Sequence, residues 1–415
     1  MSPPPPSGKW NTGEIAADAR VSFLLALGRA LHAAGHSAQA LEELLELAAT
    51  RLGVPGQFFT TPTSIFAAFG IGTQQRTYLI RVQPEETNLG RLADIKVILD
   101  KALDGTLSPG QAAEQLAHVT VLESPYSPTL TTLAFALSSA ASSVFFGGGP
   151  REVTLAAVLG LVTGLLALLA KPIPALQRIF PAAAAFLVAG LAGIAGVAVG
   201  NVSVGVATLA GLVVLLPGLM LVGAMGELAS GHLASGTARA AGAFIAFLQI
   251  GFGVALGTTV AERLVGAASV ITPAGLPAGS IWPALIAASL AFTVLLKADR
   301  HDAPWIIFGA LLAILGSRAG TMLVGAELGP FFGAFGVAIA GAAFSGRTSR
   351  PASVVVAPGV LVLVPGSVGF RSIAALLENR VVAGIDTAFA AMLTAIALVA
   401  GLLIASVVLP SRRHL

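Results

Sequence analysis

The spacing of apolar residues divides the chain into an amphipathic N-terminal region and a series of long apolar blocks. Four N-terminal segments carry apolar residues at helical spacing and predict helices over 14–34, 37–54, 89–105 and 108–119. Ser37 and Ser108 suit helix N-caps, and Pro109 suits a first helical position. Between the helices, 57–69 and 76–84 are rich in β-branched and aromatic residues and predict two or more short strands.

From about residue 128 onward, apolar blocks are separated only by short charged or Gly/Pro-rich segments. A helix that crosses a bilayer needs about 20 apolar residues, and most of the blocks meet that length. We place membrane helices near 128–146, 152–170, 179–199, 206–228, 237–260, 280–297, 304–320, 327–345, 352–376 and 383–409. Because the block 304–320 is short, a count of eight or nine stays open beside ten.

These patterns predict a mainly α, polytopic membrane protein with a small N-terminal α+β soluble domain. We divide the chain into a disordered, Pro-rich segment (1–13), the soluble domain (14–124), a first transmembrane half (125–263) and a second (264–415). The first 14 residues contain no apolar core typical of a signal peptide.

Two apolar blocks contain the same interruption. The stretch LVVLLPGLMLVGAMGELASGHLASG and the stretch VLVLVPGSVGFRSIAALLENRVVAG align without a gap at a constant offset of 148 residues. This alignment places Gly211 on Gly359, Pro217 on Pro365, Gly218 on Gly366, Leu228 on Leu376 and Gly236 on Gly384. Five spans separate the fourth block from the ninth, so equivalent helices cross in opposite directions. Two inverted five-helix repeats are a recurrent plan of secondary transporters.

The Pro-Gly pairs lie near the middle of their blocks and predict broken helices. Proline removes an N–H group, and each unsatisfied backbone group in lipid costs several kcal/mol, so a break needs protein or water around it. Half-helix ends suit a zwitterion, because N-termini attract a carboxylate and C-terminal carbonyls attract an ammonium group. We therefore predict a substrate site at Pro217, Gly218, Pro365 and Gly366. The alternative is that both prolines merely kink packed helices.

Several polar residues near the breaks are further candidates for binding substrate. Asn201, Ser203 and Ser367 can hydrogen-bond to freed backbone groups or to substrate. Arg371 can hold a substrate carboxylate or pair with an acid across the bundle.

Acidic residues in apolar blocks need an explanation, because an acid at a span centre costs about 2.5–3.5 kcal/mol on insertion. Glu227, Asp386 and Glu327 are candidates for proton coupling. The alternative for Glu227 is a loop-facing position at the membrane edge. Asp386 and Glu327 stand where the tenth and eighth spans open, so each can instead cap a helix N-terminus.

Composition narrows the classes of function. Only 10% of residues are charged and 55% are hydrophobic, against about 25% charged in soluble domains. The pI of 9.6 comes with a net charge of only +3 and no basic cluster with aromatics, so nucleic acid is not an expected partner. Cysteine is absent, and no nucleotide-binding motif is present. We expect no metal, cofactor or catalytic residue, and hence no enzyme.

The distribution of Lys and Arg predicts the orientation. With a cytosolic N-terminal domain, nine Lys/Arg residues fall in inside segments and five in outside ones. This bias predicts cytoplasmic N- and C-termini. The Gly- and Ala-rich spans allow close helix packing within one subunit or between subunits of a homo-oligomer.

The order of these segments resembles the bacterial threonine/serine exporter family in its fused, two-half form. The likeness rests on LLALGRALHAAGHS, TPTSIFAAF, LLPG with GELASGHLASG, and LVPG with AGIDTAF, and extends over about 15–410. It implies export of small hydroxy amino acids across the bacterial inner membrane, driven by the proton-motive force. In that family the halves also occur as separate chains, some of which are associated with succinate export.

Three hypotheses follow. The first is a threonine/serine exporter that works by alternating access around the broken helices and uses the proton-motive force. The second is a dicarboxylate exporter with the same fold, disfavoured by the scarcity of Lys and Arg within the spans. The third is a membrane-anchored hydrolase or signalling module that uses the N-terminal domain, disfavoured by the lack of a recognisable catalytic arrangement.

Overall fold

The computed structural model describes residues 18–83, 87–122, 124–269 and 271–409. The segment predicted to be disordered, 1–13, lies outside the described residues. The described chain is mainly helical, with one small sheet near its N-terminus.

The N-terminal elements agree with the predicted α+β pattern. They are α1 Ala19–Ala33, α2 Ala38–Arg51, β1 Gly56–Thr61, β2 Ser64–Phe69, β3 Arg76–Arg81, α3 Leu89–Leu103 and α4 Pro109–Val121. The strands form an antiparallel sheet in the order β1-β2-β3. Ser37 accepts a hydrogen bond from the Ala40 amide, and Ser108 forms a capping box with Gln111, so the predicted caps are confirmed.

Twelve more helices follow the linker, two pairs of which form broken units. They are α5 Pro128–Phe145, α6 Pro150–Ala170, α7 Pro174–Val199, α8 Val204–Gly211, α9 Gly218–Ala229, α10 Leu233–Val265, α11 Ile281–Leu295, α12 Ala303–Val324, α13 Pro330–Arg347, α14 Ser353–Leu363, α15 Gly366–Leu377 and α16 Val381–Val408.

Within the described residues, seven segments are long and apolar enough to cross a membrane, with α14 and α15 taken together as Ser353–Leu377 and with the short turns before α11 and α12 included. The count is eight if α8 and α9, which bend by 49° at their break, are one span. The 18-residue helices α5 and α13 fall outside this set. Three predicted boundaries were wrong: α12 has 22 residues and is not short, α10 starts at Leu233 and runs for 33 residues, and α7 starts at Pro174 and not at 179.

Contacts recur between corresponding helices of the two halves. Helix α7 packs on α10 as α13 packs on α16, and α6 packs on α8 as α12 packs on α14. Helix α9 packs on α10 as α15 packs on α16, while α5 and α11, the first helices of the halves, pack on each other. The described structure thus repeats one arrangement of helices.

The second segments of the broken units pack into the opposite halves. Helix α9 contacts α16, and α15 contacts α10. Phe370 and Ile373 of α15 join a buried cluster built otherwise from the first half, while Val222 of α9 joins one built from the second. The two halves therefore interlock through α9 and α15.

The N-terminal domain shares its core with the second half. Its buried apolar cluster continues into α11–α14 through Leu296, Ile306 and Phe344. The amides of Leu89 and Gly90 at the start of α3 donate to the carbonyl oxygens of Leu296 (2.9 Å) and Lys297 (3.1 Å). These donors satisfy carbonyls that the end of α11 leaves without helical partners.

Glycines allow helices α7 and α10 to pack closely against each other. A Cβ at Gly257 would overlap the Phe186 carbonyl oxygen and lie 3.0 Å from the Gly190 amide nitrogen.

We expect Gly257→Val to force these helices apart and to lower stability by about 1–3 kcal/mol, as overpacking does. Thermal unfolding in detergent checks this loss. Gly205→Ala is the control, because a Cβ there has no neighbour within 4 Å; equal melting temperatures for both variants would contradict the expectation.

Candidate functional site

The two Pro-Gly breaks adopt the same backbone conformation. Leu216 has φ −65° and ψ 125°, and Val364 has φ −60° and ψ 132°. Pro217 has φ −78° and ψ 43°, and Pro365 has φ −77° and ψ 29°. The proline ring pushes the preceding residue into extended backbone and removes one helical donor, so each helix stops and restarts at glycine.

The two breaks lie against each other. A Cβ at Gly218 would overlap the Val364 side chain, and a Cβ at Gly366 would lie 3.3 Å from the Leu216 Cβ and 3.5 Å from the Gly218 Cα. Leu216 thus contacts Gly366, and Gly218 contacts Val364. Because Leu216 corresponds to Val364 and Gly218 to Gly366 at the offset of 148 residues, the two contacts join equivalent pairs of positions. Gly218 and Gly366 face each other here, since a Cβ built on Gly218 would lie 3.4 Å from the Gly366 Cα.

The N-termini of α9 and α15 therefore meet inside the bundle. The first helical bond of α9 runs from the Leu221 amide to the Pro217 carbonyl, and that of α15 from the Gly369 amide to the Pro365 carbonyl. Of the amides before Leu221 and Gly369, that of Gly218 donates to the Leu216 carbonyl (2.8 Å), while the other N–H groups of the first turns have no intrahelical acceptor. Two positive helix ends at one place are suited to an anionic group such as a carboxylate.

Two predicted binding residues lie on α15 beside this junction. Ser367 follows Gly366 in the first turn and is partly exposed. Arg371 is exposed, and its Cζ lies 5.8 Å from the ring centroid of Phe146, at the end of α5. No acid pairs with Arg371 among the described residues, so the structure gives no support to the alternative of a cross-bundle ion pair.

Two other predicted binding residues are not brought to the break. Asn201 and Ser203 lie before α8, at the end of that helix opposite to Pro217. The Ser203 amide donates to Glu152 Oε1 (2.7 Å), and the Gly149 amide donates to Glu152 Oε2 (2.9 Å). Glu152, which the sequence analysis did not consider, thus ties the α5–α6 turn to the α7–α8 turn.

The two candidate acids of the second half are both exposed. Glu327 was expected to open the eighth span, but α13 begins at Pro330 and Glu327 lies in the preceding turn. Asp386 lies in the second turn of α16. Among the described residues, neither acid forms a hydrogen bond or an ion pair with the Pro-Gly junction.

Glu227 is buried, with 1% of its surface exposed, and does not face a loop. Its Oε1 accepts a hydrogen bond from the Ala38 amide (2.9 Å) and lies 3.0 Å from Arg239 Nε, while Oε2 accepts one from the Ser235 hydroxyl (2.7 Å). The interpretation as a loop-facing residue was therefore wrong, because the N-terminal domain covers this end of α9. Charge-assisted bonds of this kind let a carboxylate remain buried.

A wider polar contact surrounds Glu227 between α2 and the α9–α10 turn. Ser230 Oγ lies 2.6 Å from Gln39 Oε1, and His232 Nε2 lies 3.3 Å from Glu42 Oε2. We call Ala38, Gln39 and Glu42, with Glu227, Ser230 and His232, the polar contact. Of these residues only Glu227 was predicted to have a role, although Ser230 and His232 stand with it in GELASGHLASG. The polar residues that follow one another over two turns at the end of the broken helix were the feature of the sequence that could have indicated this contact.

His36 lies beside this contact, just before α2. Burial lowers the pKa of His36 to about 4, because desolvation penalises the charged imidazolium. His36 is therefore neutral at physiological pH and adds no charge at the start of α2.

A small α+β domain joined to apolar helices that interlock at two proline breaks defines a multi-span membrane protein. A family model described as a putative threonine/serine exporter matches residues 22–261, and a second, described as a threonine/serine exporter, matches residues 281–408. The chain belongs to the threonine/serine exporter family, with both halves in one polypeptide.

Curated relatives come from fungi. Pheromone-regulated membrane protein 10 of Candida albicans is 30% identical over 247 residues, covering 58% of this chain and 22% of that protein. An uncharacterized protein of Schizosaccharomyces pombe is 26% identical over 387 residues, covering 89% of this chain and 45% of that protein. The chain thus spans less than half the length of these relatives. No solved structure matches it.

Gly218 offers a test of the junction. We expect Gly218→Ala to lower the melting temperature, because the added methyl overlaps Val364. Adding Val364→Ala should restore much of the loss, with a coupling of about 0.5–3 kcal/mol in a double-mutant cycle measured by thermal unfolding. Gly223→Ala, on the same helix with no neighbour within 4 Å of the added Cβ, is the matched control. Additive effects of the two substitutions would mean that 218 and 364 do not meet.

Proposed function

We propose that the chain exports threonine or serine by alternating access around the Pro-Gly junction. The observation that carries the proposal is the meeting of the α9 and α15 N-termini at Gly218 and Gly366. A transporter must hold its substrate where both halves contribute, and this junction belongs equally to both. Membership of the family supports the function of a membrane exporter. The substrate and the energy source are part of the proposal.

We further propose ten spans in two five-helix repeats of opposite orientation. One support is the antiparallel register of the junction, where 216 meets 366 and 218 meets 364. Another is the placement of corresponding turns. Glu152 links the α5–α6 and α7–α8 turns, whereas Arg350 links the equivalent α11–α12 and α13–α14 turns through Asp299 (3.1 Å) and Asp302 (3.2 Å) beside the N-terminal domain. The α10–α11 segment lies on the Glu152 side, because a Cβ at Gly275 would be 3.3 Å from the Gly147 carbonyl.

Substrate recognition follows from the charges at the junction. The positive ends of α9 and α15 would hold the carboxylate, and the carbonyls that end α14 would accept from the ammonium group. Ser367 would offer a hydrogen bond to the side-chain hydroxyl. Arg371 lies about one turn beyond Ser367 on α15 and would attract the carboxylate during entry or exit.

A dicarboxylate is the second candidate substrate. The observation in its favour is Arg371, a cation with no acid partner among the described residues. A second carboxylate bound there would add a contact that threonine and serine cannot make.

Proton coupling would use one of the acids Glu227, Asp386 and Glu327. Glu227 joins α9, α10 and the N-terminal domain, so a proton on it would weaken three contacts at once. Asp386 and Glu327 are both exposed, Asp386 in the second turn of α16 and Glu327 in the turn before α13. We place the protein in a bacterial inner membrane, as the resemblance to the bacterial exporter family implies, with the N-terminal domain and both termini in the cytoplasm, as the Lys and Arg distribution indicates.

Efflux from proteoliposomes tests the transport proposal. Vesicles loaded with radiolabelled threonine, serine or succinate are given an imposed pH gradient, with protein-free vesicles as the control. We expect threonine and serine to leave faster than from protein-free vesicles and succinate to be retained. Efflux of succinate alone would favour the dicarboxylate, and retention of all three would refute export of these substrates.

Neutral replacements of the three acids test the coupling. We expect one of Glu227→Gln, Asp386→Asn and Glu327→Gln to reduce gradient-driven efflux to the rate seen without a gradient, while threonine exchange across equal pH persists. Loss of coupling with retained exchange separates a proton carrier from a merely structural acid.

Glu378→Gln is the matched control for this series. Glu378 is exposed and pairs with Arg380 in the α15–α16 turn, away from the proposed site. If all three candidate variants keep full gradient-driven efflux, as the control should, protons are not carried by these residues.

A further inference from the structure

The N-terminal domain touches both halves, but through contacts of different chemistry. Its contact with the second half is an extension of its own apolar core, in which Leu89, Leu296 and Ile306 are at most 7% exposed. The backbone bonds from Leu89 and Gly90 to the end of α11 lie at the same place. Separating these surfaces would expose apolar core to water, so the domain and the second half form one body.

The contact with the first half is polar. Its polar bonds are that of the Ala38 amide to Glu227 and the pairs Gln39–Ser230 and Glu42–His232, and strand β1 also lies against α10. Among the described residues, the apolar cluster that the domain shares with the second half contains no residue of the α9–α10 turn. A polar contact can be exchanged for water with little change in free energy, unlike an apolar one.

Glu227 keeps partners within its own half if the domain moves away. Ser235 and Arg239, both on α10, hold its two oxygens independently of the domain. On the domain side, Ala38 is the first residue of α2, so its N–H has no helical acceptor and returns to water. Opening the polar contact therefore leaves no unpaired buried carboxylate.

We propose that the N-terminal domain moves with the second half and acts as a latch, whose polar contact with α9 and α10 opens when the two halves move apart during transport. Helix α9 is the segment that begins at the Pro-Gly junction, so closing the latch restrains the half-helix that the substrate site depends on. The inference rests on the proposed alternating access, but the latch itself can be measured without transport.

Ala38→Pro is a substitution aimed at the latch alone. Proline is well tolerated at the first position of a helix, and Ser37 before it is already extended, with φ −68° and ψ 154°. The ring removes the N–H that Glu227 accepts and puts a carbon against the carboxylate. Ala19→Pro, at the first position of α1, is the matched control in the same domain.

The protein contains no cysteine, so pairs of introduced cysteines can carry spin labels without background. One pair, Glu43→Cys with Ala238→Cys, spans the latch; the other, Lys101→Cys with Ser349→Cys, spans the contact with the second half. All four positions are exposed. Pulsed electron paramagnetic resonance in nanodiscs gives both distance distributions.

We expect Ala38→Pro to move the 43–238 distribution to longer distances and to leave the 101–349 distribution unchanged. Ala19→Pro should move neither. The combination Ser230→Ala with His232→Ala weakens the same contact from the membrane side and should act like Ala38→Pro. The latch is refuted if 43–238 is unchanged in both latch variants, or if 101–349 lengthens together with it. Because no efflux is measured, failure of the proposed substrate would leave this result intact.

Discussion

The close approach of two backbones at Gly218 and Gly366 is the constraint on which the membrane region depends. Each proline ends one helical segment and directs the next into the opposite half, so α9 completes a cluster of the second half and α15 completes one of the first. Without a side chain at 218, Val364 fills the space there. A bulkier residue would separate the halves at the point where their helix ends meet. The repeated helix contacts are thus organised around one pair of glycines.

Much of this arrangement could be predicted from the sequence, because backbone rules act locally. The Pro-Gly pairs, their offset of 148 and the caps at Ser37 and Ser108 depend on neighbouring residues, and the structure has all of them. The surroundings of Glu227 were predicted wrongly, because its burial comes from a domain nearly 190 residues earlier in the chain. The grouping of Ser203 with the break also overlooked that α8 separates them. Contacts between distant segments leave no periodic pattern in a single sequence.

The buried acids of the first half solve a shared problem in similar ways. A carboxylate without partners would be costly inside the protein, and both Glu152 and Glu227 are at most 3% exposed. Each accepts a backbone amide from an otherwise unsatisfied helix start or turn, at Ser203 and at Ala38 respectively. Such acids connect separate segments with bonds that apolar side chains cannot provide. Burial of an acid is therefore an unreliable guide to proton transport in this fold.

The position of the N-terminal domain has a consequence for how the polypeptide is connected. The domain precedes the first half in sequence yet shares its apolar core with α11–α14 of the second. The domain therefore adds a further connection between the two halves, beside the peptide segment between α10 and α11, the interlock of α9 and α15 and the packing of α5 on α11. Because noncovalent contacts hold the two halves together, the peptide segment around residues 266–280 is not needed to keep them in place. Its length and composition are then free to vary without loosening the pairing of the halves.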